Sequence, residues 1–216
     1  MKDRKLTAPE MGRMTPDEYR SRPESGVVVV LDNVRSAYNV GSAFRSCDAF
    51  GVDRVYLCGI CAVPPSNEIH KTALGAEESV PWQHCDSTLE AVASLKAAGY
   101  TVVSVEQTEN SVKLEAGIDV PPEACATLGT IRGGTVSFAN GGAERSEAAE
   151  GGSVVPASAS SQKYAFIFGN EVEGVQQSVV DASDFCLEIP QHGTKHSLNV
   201  AVTVGIVLFA FTSPAR

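Results

Sequence analysis

Three short constellations hold the residues of this chain whose types and spacing could do chemistry. The first is Asn33-Val-Arg-Ser-Ala-Tyr-Asn39-Val-Gly-Ser-Ala-Phe-Arg45, in which Asn39 opens a helical pattern and Arg45 follows six positions on. A guanidinium there can grip a phosphate or carboxylate through paired N–H bonds. The plainer alternative is a surface arginine beside the core. The second is Gly169-Asn170-Glu171-Val172-Glu173-Gly174. Its glycines allow a sharp turn and close approach of a ligand, and its carboxylate can orient a donor or a cation. By itself it reads as an ordinary glycine turn. The third is Ser197-Leu198-Asn199. Ser197 is placed to cap a helix, and free N–H groups and hydroxyls at a helix start also bind ligands.

Other chemistries find no support. His192 and His196 flank Lys195 but lack the Glu and the helical register of a zinc-protease motif, so no metal is assigned to them. No GxGxxG follows an expected strand, and neither a GxxxxGK[ST] phosphate loop nor a GxSxG elbow occurs. Cys58 and Cys61 have CxxC spacing, yet no second pair follows. They read as two reduced thiols at a strand end.

The elements that must position these groups follow from hydrophobic pattern. Residues 164–168 and 185–189 are apolar runs that read as buried strands, and each ends in a ligand-type loop. Residues 198–211 form an uncharged segment of helix length. Upstream, residues 27–31, 54–57 and 100–105 read as strands, with a short one at 80–85. Helical spacing covers residues 39–50, closed by Gly51; residues 67–74, closed by Gly75; and a stretch from a cap at Asp86 or Ser87 to Ala98, closed by Gly99. Alternation of this kind predicts an α/β fold, a mostly parallel sheet with helices on both faces. Strand ends in such sheets are where small molecules bind.

Residues 1–25 read as an N-terminal arm with a short helix begun by Thr15-Pro16-Asp17-Glu18, ahead of one domain over residues 26–216. The rhythm stops after Thr108. Residues 139–162 are rich in Gly, Ala, Ser and Glu and read as a disordered insertion. A stray strand at 131–138 and a helix near 121–128 are further expectations there.

The chain has 216 residues, 43% of them hydrophobic, and a net charge of −9. That sign gives nucleic-acid binding no support on average, although basic residues gather in the first quarter. No run of apolar residues is long enough to span a membrane, and no secretory signal is visible. A cytoplasmic protein is the default expectation, with an organellar one as the alternative.

Taken in order, NxxxxxR, GxExxG and IPxxGxxxSLN before an apolar helix resemble the SpoU (TrmH-like) branch of the SPOUT RNA methyltransferases. The match covers residues 27–108 and 163–211, and Lys71-Thr-Ala-Leu-Gly75-Ala resembles the family's segment after the second strand. The resemblance implies a C-terminal trefoil knot, a homodimer, and S-adenosylmethionine held mainly by backbone groups. The matching positions are Gly169, Asn170, Ile189, Gln191 and Leu198, with Glu106. It also implies methyl transfer to a ribose 2′-hydroxyl of tRNA or rRNA. The competing classes are a SPOUT protein that binds RNA or cofactor without ribose methylation, and a base methyltransferase of the same fold.

Arg45 matches the arginine proposed as general base in relatives. A guanidinium stays charged, so we expect Arg45 to grip the phosphate beside the target ribose while Ser197 helps the proton leave. Asn39, Glu171 and Asn199 would hold Arg45 and the substrate in line. RNA contacts are expected from the arm, His70, Lys71, Lys195 and the partner subunit. The insertion before Lys163 is longer than the family pattern leads one to expect.

Overall fold

The computed structural model describes residues 3–7, 9–114 and 162–212. In chain order they form α1 (Pro16–Ser21), β1 (Val27–Asp32), α2 (Ala37–Ala49), β2 (Arg54–Cys58), α3 (Asn67–Ala73), α4 (Ala76–Ser79), β3 (Trp82–Cys85), α5 (Thr88–Ala97), β4 (Tyr100–Val105), β5 (Val112–Lys113), β6 (Lys163–Phe168), α6 (Gln177–Ala182), β7 (Phe185–Glu188) and α7 (Val200–Thr212). The strands make one sheet in the order β3-β2-β1-β6-β4-β7-β5. Every pairing in it is parallel.

β1 shows why the sheet is buried on both sides. Successive side chains of a strand point to opposite faces. Val27, Val29 and Leu31 pack with residues of α1, α2, α3, α4 and α7. Val28 and Val30 pack in a second cluster with Ala91, Val92 and Leu95 of α5 and Val179 of α6. A strand covered on both faces needs an unbroken apolar run, and all six β1 residues are buried. The expected helices on both faces of a parallel sheet are present.

The arm docks onto this body. Thr15 and Glu18 form a capping box at the start of α1. Tyr19 is buried, with its hydroxyl 3.1 Å from the Cys47 carbonyl and 2.8 Å from that of Val52. The Arg22 guanidinium stacks on the Tyr19 ring and pairs with Asp53 at 3.2 Å.

Several element ends differ from expectation, each for a local reason. α2 begins at Ala37, because Ser36 caps it by accepting from the Asn39 N–H at 3.3 Å. Asn39 therefore sits inside the first turn with its side-chain amide unused by the cap. α3 stops at Ala73, since Leu74 (φ 53°) and Gly75 (φ 92°) both turn left-handed, and the extra turn α4 follows. α7 begins at Val200, capped by Asn199 and not by Ser197: Asn199 Oδ1 accepts from the N–H groups of Ala201 (2.9 Å) and Val202 (3.4 Å). α6 and β5 were not expected. The suggested helix at 121–128 and strand at 131–138 lie outside the described residues, as does nearly all of the 139–162 insertion.

Candidate active site

β6, β4 and β7 lie side by side and run the same way, so the loops after them leave one edge of the sheet together. Between the loops is a cleft of about 470 Å³. Glu106 and Gln107 reach it from β4, residues 169–174 from β6, and Ile189, Gln191 and His196 to Asn199 from the segment between β7 and α7. All six residues expected to bind cofactor line it: Glu106, Gly169, Asn170, Ile189, Gln191 and Leu198. So do Glu171, Ser197 and Asn199.

The β6 loop is a closed ring. Asn170 and Gly174 exchange backbone bonds at 3.1 and 3.2 Å. The Asn170 side chain fastens the loop from within, its Oδ1 accepting from the N–H groups of Val172 and Glu173 at 2.9 Å each. A Cβ on Gly169 would collide with the backbone of Gly174 and Val175, so only glycine fits. Gly174 has φ 71°, and a Cβ there would strike the Glu106 carboxylate. That carboxylate braces the loop from β4, its Oε2 accepting from the Val175 N–H at 3.0 Å.

A second brace comes from below. Asp32, at the end of β1, is fully buried. It accepts from Thr88 Oγ1 (2.6 Å), Asn33 Nδ2 (2.9 Å), Gln176 N (3.0 Å) and Gln176 Nε2 (3.1 Å). Gln176 follows the β6 loop directly, so Asp32 ties that loop's exit to the sheet. Four donors satisfy a carboxylate that burial would otherwise penalise.

Three expected residues meet through side chains. Asn39 Nδ2 donates to Glu171 Oε1 at 2.7 Å, and Asn39 Oδ1 accepts from Asn199 Nδ2 at 3.0 Å. Asn199 is the cap of α7, so this relay links the start of that helix to the β6 loop through α2. Ser197 is exposed and makes no hydrogen bond to the described residues.

Arg45 does not join this group within its own chain. It is exposed on α2 and lines a separate depression with Ser42, Ser46, Ala49, Phe50, Lys71 and Thr72. Asn39, Glu171 and Asn199 bond to one another and not to Arg45. The expectation that they hold Arg45 in one pocket is therefore not met within a single chain. Its neighbours Lys71 and Thr72 make the depression cationic and hydroxyl-rich, a combination that suits an anion.

The cleft has the opposite sign. Glu106, Glu171, Glu173 and Glu188 line it, with no Lys or Arg among the lining residues. Gln107, which sequence reasoning missed, donates from Nε2 to the His196 carbonyl at 3.3 Å and clasps two loops together. Its place beside Glu106 at a strand end was the available signal. Thr203, on the first turn of α7, also lines the cleft and carried no such signal.

A parallel sheet whose adjacent carboxyl ends cradle an acidic cleft defines a small-molecule-binding α/β domain. The chain belongs to the SpoU rRNA Methylase family, which it matches over residues 26–209. It is 27% identical over 186 residues to a 23S rRNA (guanosine-2′-O-)-methyltransferase RlmB of Nitrosomonas europaea, covering 86% of this chain and 55% of that protein. It is 23% identical over 193 residues to a tRNA (guanosine(18)-2′-O)-methyltransferase of Aquifex aeolicus, covering 89% of this chain and 71% of that one. Among solved structures, an AdoMet-bound rRNA methyltransferase from Sinorhizobium meliloti superposes with TM-score 0.62 at 24% identity, over 89% of this chain and 59% of that one. The A. aeolicus TrmH/SpoU tRNA modifying enzyme gives TM-score 0.63 at 20% identity, over 91% and 78%. The chain spans little more than half the length of the first curated relatives it matches.

Proposed function

We propose that this protein transfers a methyl group from S-adenosylmethionine to a ribose 2′-hydroxyl of tRNA or rRNA. One observation carries the reading: glycine-cradled strand ends enclose a cleft lined by carboxylates and by no Lys or Arg. S-adenosylmethionine supplies an electrophilic methyl group on a positively charged sulfonium. An acidic cleft attracts that charge. The groups present fit the donor: Gly169 and Gly174 let the β6 loop close on itself and against Glu106, and residues of the three loops line the cleft. The names of the family relatives point the same way.

In this reading Glu106, Gly169, Asn170, Ile189, Gln191 and Leu198 hold the donor. The Glu171–Asn39–Asn199 relay fixes the β6 loop against α7, and Ser197 helps the proton of the 2′-hydroxyl leave to solvent water. Correct alignment of two reactants contributes several kcal/mol. Arg45 and Lys71 grip the phosphate beside the target ribose, and the arm and Lys195 extend the RNA contact. The threading of α7 through the loops as a trefoil knot belongs to the same proposal.

The separation of Arg45 from the cleft of its own chain favours a homodimer in which each Arg45 serves the neighbouring copy's cleft. α7 carries an exposed apolar stripe, Val202, Ile206 and Phe209, at helical spacing beside α2. Exposed apolar stripes mark association sites. The five cysteines among the described residues form no disulfide, which fits the cytoplasmic setting of this proposal, and no helix among the described residues is long and apolar enough to cross a membrane.

The test has three parts. Calorimetry with S-adenosylmethionine should show binding that Glu106→Ala weakens; no heat with wild type would refute the cofactor. Mass spectrometry of RNA methylated in vitro should find a 2′-O-methyl nucleoside, and a methylated base would overturn the ribose assignment. Arg45→Lys should lose most activity, and mixing Arg45→Ala with Glu171→Ala protein should restore some. Wild-type activity in Arg45→Lys would remove the need for a two-pronged grip.

A further inference from the structure

Outside the cleft, the turn between α3 and α4 gathers a second set of ligating groups. Leu74 and Gly75 both adopt positive φ, 53° and 92°, and reverse the chain after α3. The reversal brings Glu77 and Glu78 of α4 back over His70 of α3. One ligating atom from each of the three residues lies within 4.8 Å of the other two. His70 Nδ1 is 2.6 Å from Glu77 Oε1. The Glu77 side chain is only 9% exposed, and its Oε2 is buried without a hydrogen-bond partner among the described residues.

We propose that His70, Glu77 and Glu78 bind one divalent transition-metal ion of the zinc type. The buried, unpartnered oxygen of Glu77 carries the inference beyond a surface acidic cluster. A proton on His70 answers only Oε1 and leaves Oε2 unsatisfied, a costly state for a buried anionic oxygen. The two oxygens of one carboxylate can chelate the same cation, so an ion between His70 and Glu77 meets both. One imidazole nitrogen and two carboxylates suit zinc and its neighbours, with room left for water. Magnesium and calcium favour all-oxygen sets. The two carboxylates also match the ion's charge.

Arg20 is a cation beside the site. It donates one nitrogen to the Glu78 backbone carbonyl and the other to Asp17. The Glu78 carboxylate is not among its partners. The site adjoins the anion-type depression, because Lys71 follows His70 directly and lines it with Thr72. A bound ion would therefore pin the segment that presents Lys71 beside Arg45.

Equilibrium dialysis of the untagged full chain against zinc chloride should load one ion per chain and raise the melting temperature. Cobalt chloride should give visible d–d absorption. His70→Ala and Glu78→Gln, both at exposed positions, should each weaken loading about tenfold or more. The double variant His192→Ala/His196→Ala should load as wild type. Absence of loading would overturn the site, as would loading that His70→Ala leaves unchanged, or magnesium binding as tightly as zinc.

Discussion

Asn39 and Glu171 lie 132 positions apart and share a 2.7 Å hydrogen bond, the amide donating to the carboxylate. Because Asn39 also accepts from Asn199, one side chain connects the first catalytic-type motif to both of the others. Its orientation is fixed at each end: only Nδ2 can serve Glu171, which leaves Oδ1 for Asn199. Asn39→Ala should therefore lower kcat by about 10- to 100-fold, the scale expected when reacting groups lose alignment. Asn39→Asp should be worse, since it sets a second carboxylate against Glu171. Single-turnover methyl transfer, with circular dichroism to confirm folding, checks both.

Gly174→Ala meets two obstacles, a positive φ and the Glu106 carboxylate. Left-handed backbone costs a residue with Cβ about 1–2 kcal/mol, and the clash adds to it. S-adenosylmethionine affinity should fall at least about tenfold, which corresponds to 1.4 kcal/mol. Glu106→Ala in the same background should recover some stability, because it removes the clash but not the strain. Thermal melts of the two single variants and the double variant give the coupling directly.

Removing the Asp32 carboxylate leaves donors on Thr88, Asn33 and Gln176 without their acceptor. An unsatisfied buried group costs about 1–3 kcal/mol. Asp32→Ala should thus destabilise the protein by at least about 3 kcal/mol in urea titrations. Asp32→Asn should cost less, since an amide oxygen still accepts.

Burial pushes the Cys61 thiol up to about 11, and pushes Cys58 higher still with Cys85 adding to the effect. Only the thiolate reacts readily, and its fraction is small at pH values below such a pKa. Native protein at pH 8 should therefore resist iodoacetamide at Cys58 and Cys61. Labelling of Cys61 should climb as pH approaches 11, and denatured protein should label at once. Peptide mass spectrometry follows each thiol separately.

The sheet was legible because its strands announce themselves locally. Residues 27–31 are an apolar, mostly β-branched run that suits a doubly covered strand, and α1 begins with a capping box written in four consecutive residues. α4 and α6 were not legible, being too short for a periodic signal and held in place by tertiary contacts. The site residues were found as motifs, but their partners were not. Nothing in the spacing tells that Ser36 caps α2 and so leaves the Asn39 side-chain amide available. Nor does it tell that Asn199 takes the cap expected of Ser197. Arg45 was placed with the loops by motif order, whereas the helix that carries it turns the guanidinium towards Lys71 and Thr72. The acidic lining was overlooked because its carboxylates come from separate strand ends.

The strand order β1-β6-β4 puts a late segment at the middle of the sheet. A ribosome makes β1 to β3 first and β4 soon after, yet neither half has its proper neighbour until Lys163–Phe168 has emerged. Through that interval the open edges of β1 and β4 stand unfilled, each offering backbone groups to any passing strand. Maturation of this sheet is thus tied to the synthesis of residues 163–168. A nascent chain halted before β6 would be a ward for chaperones, not a half-built domain.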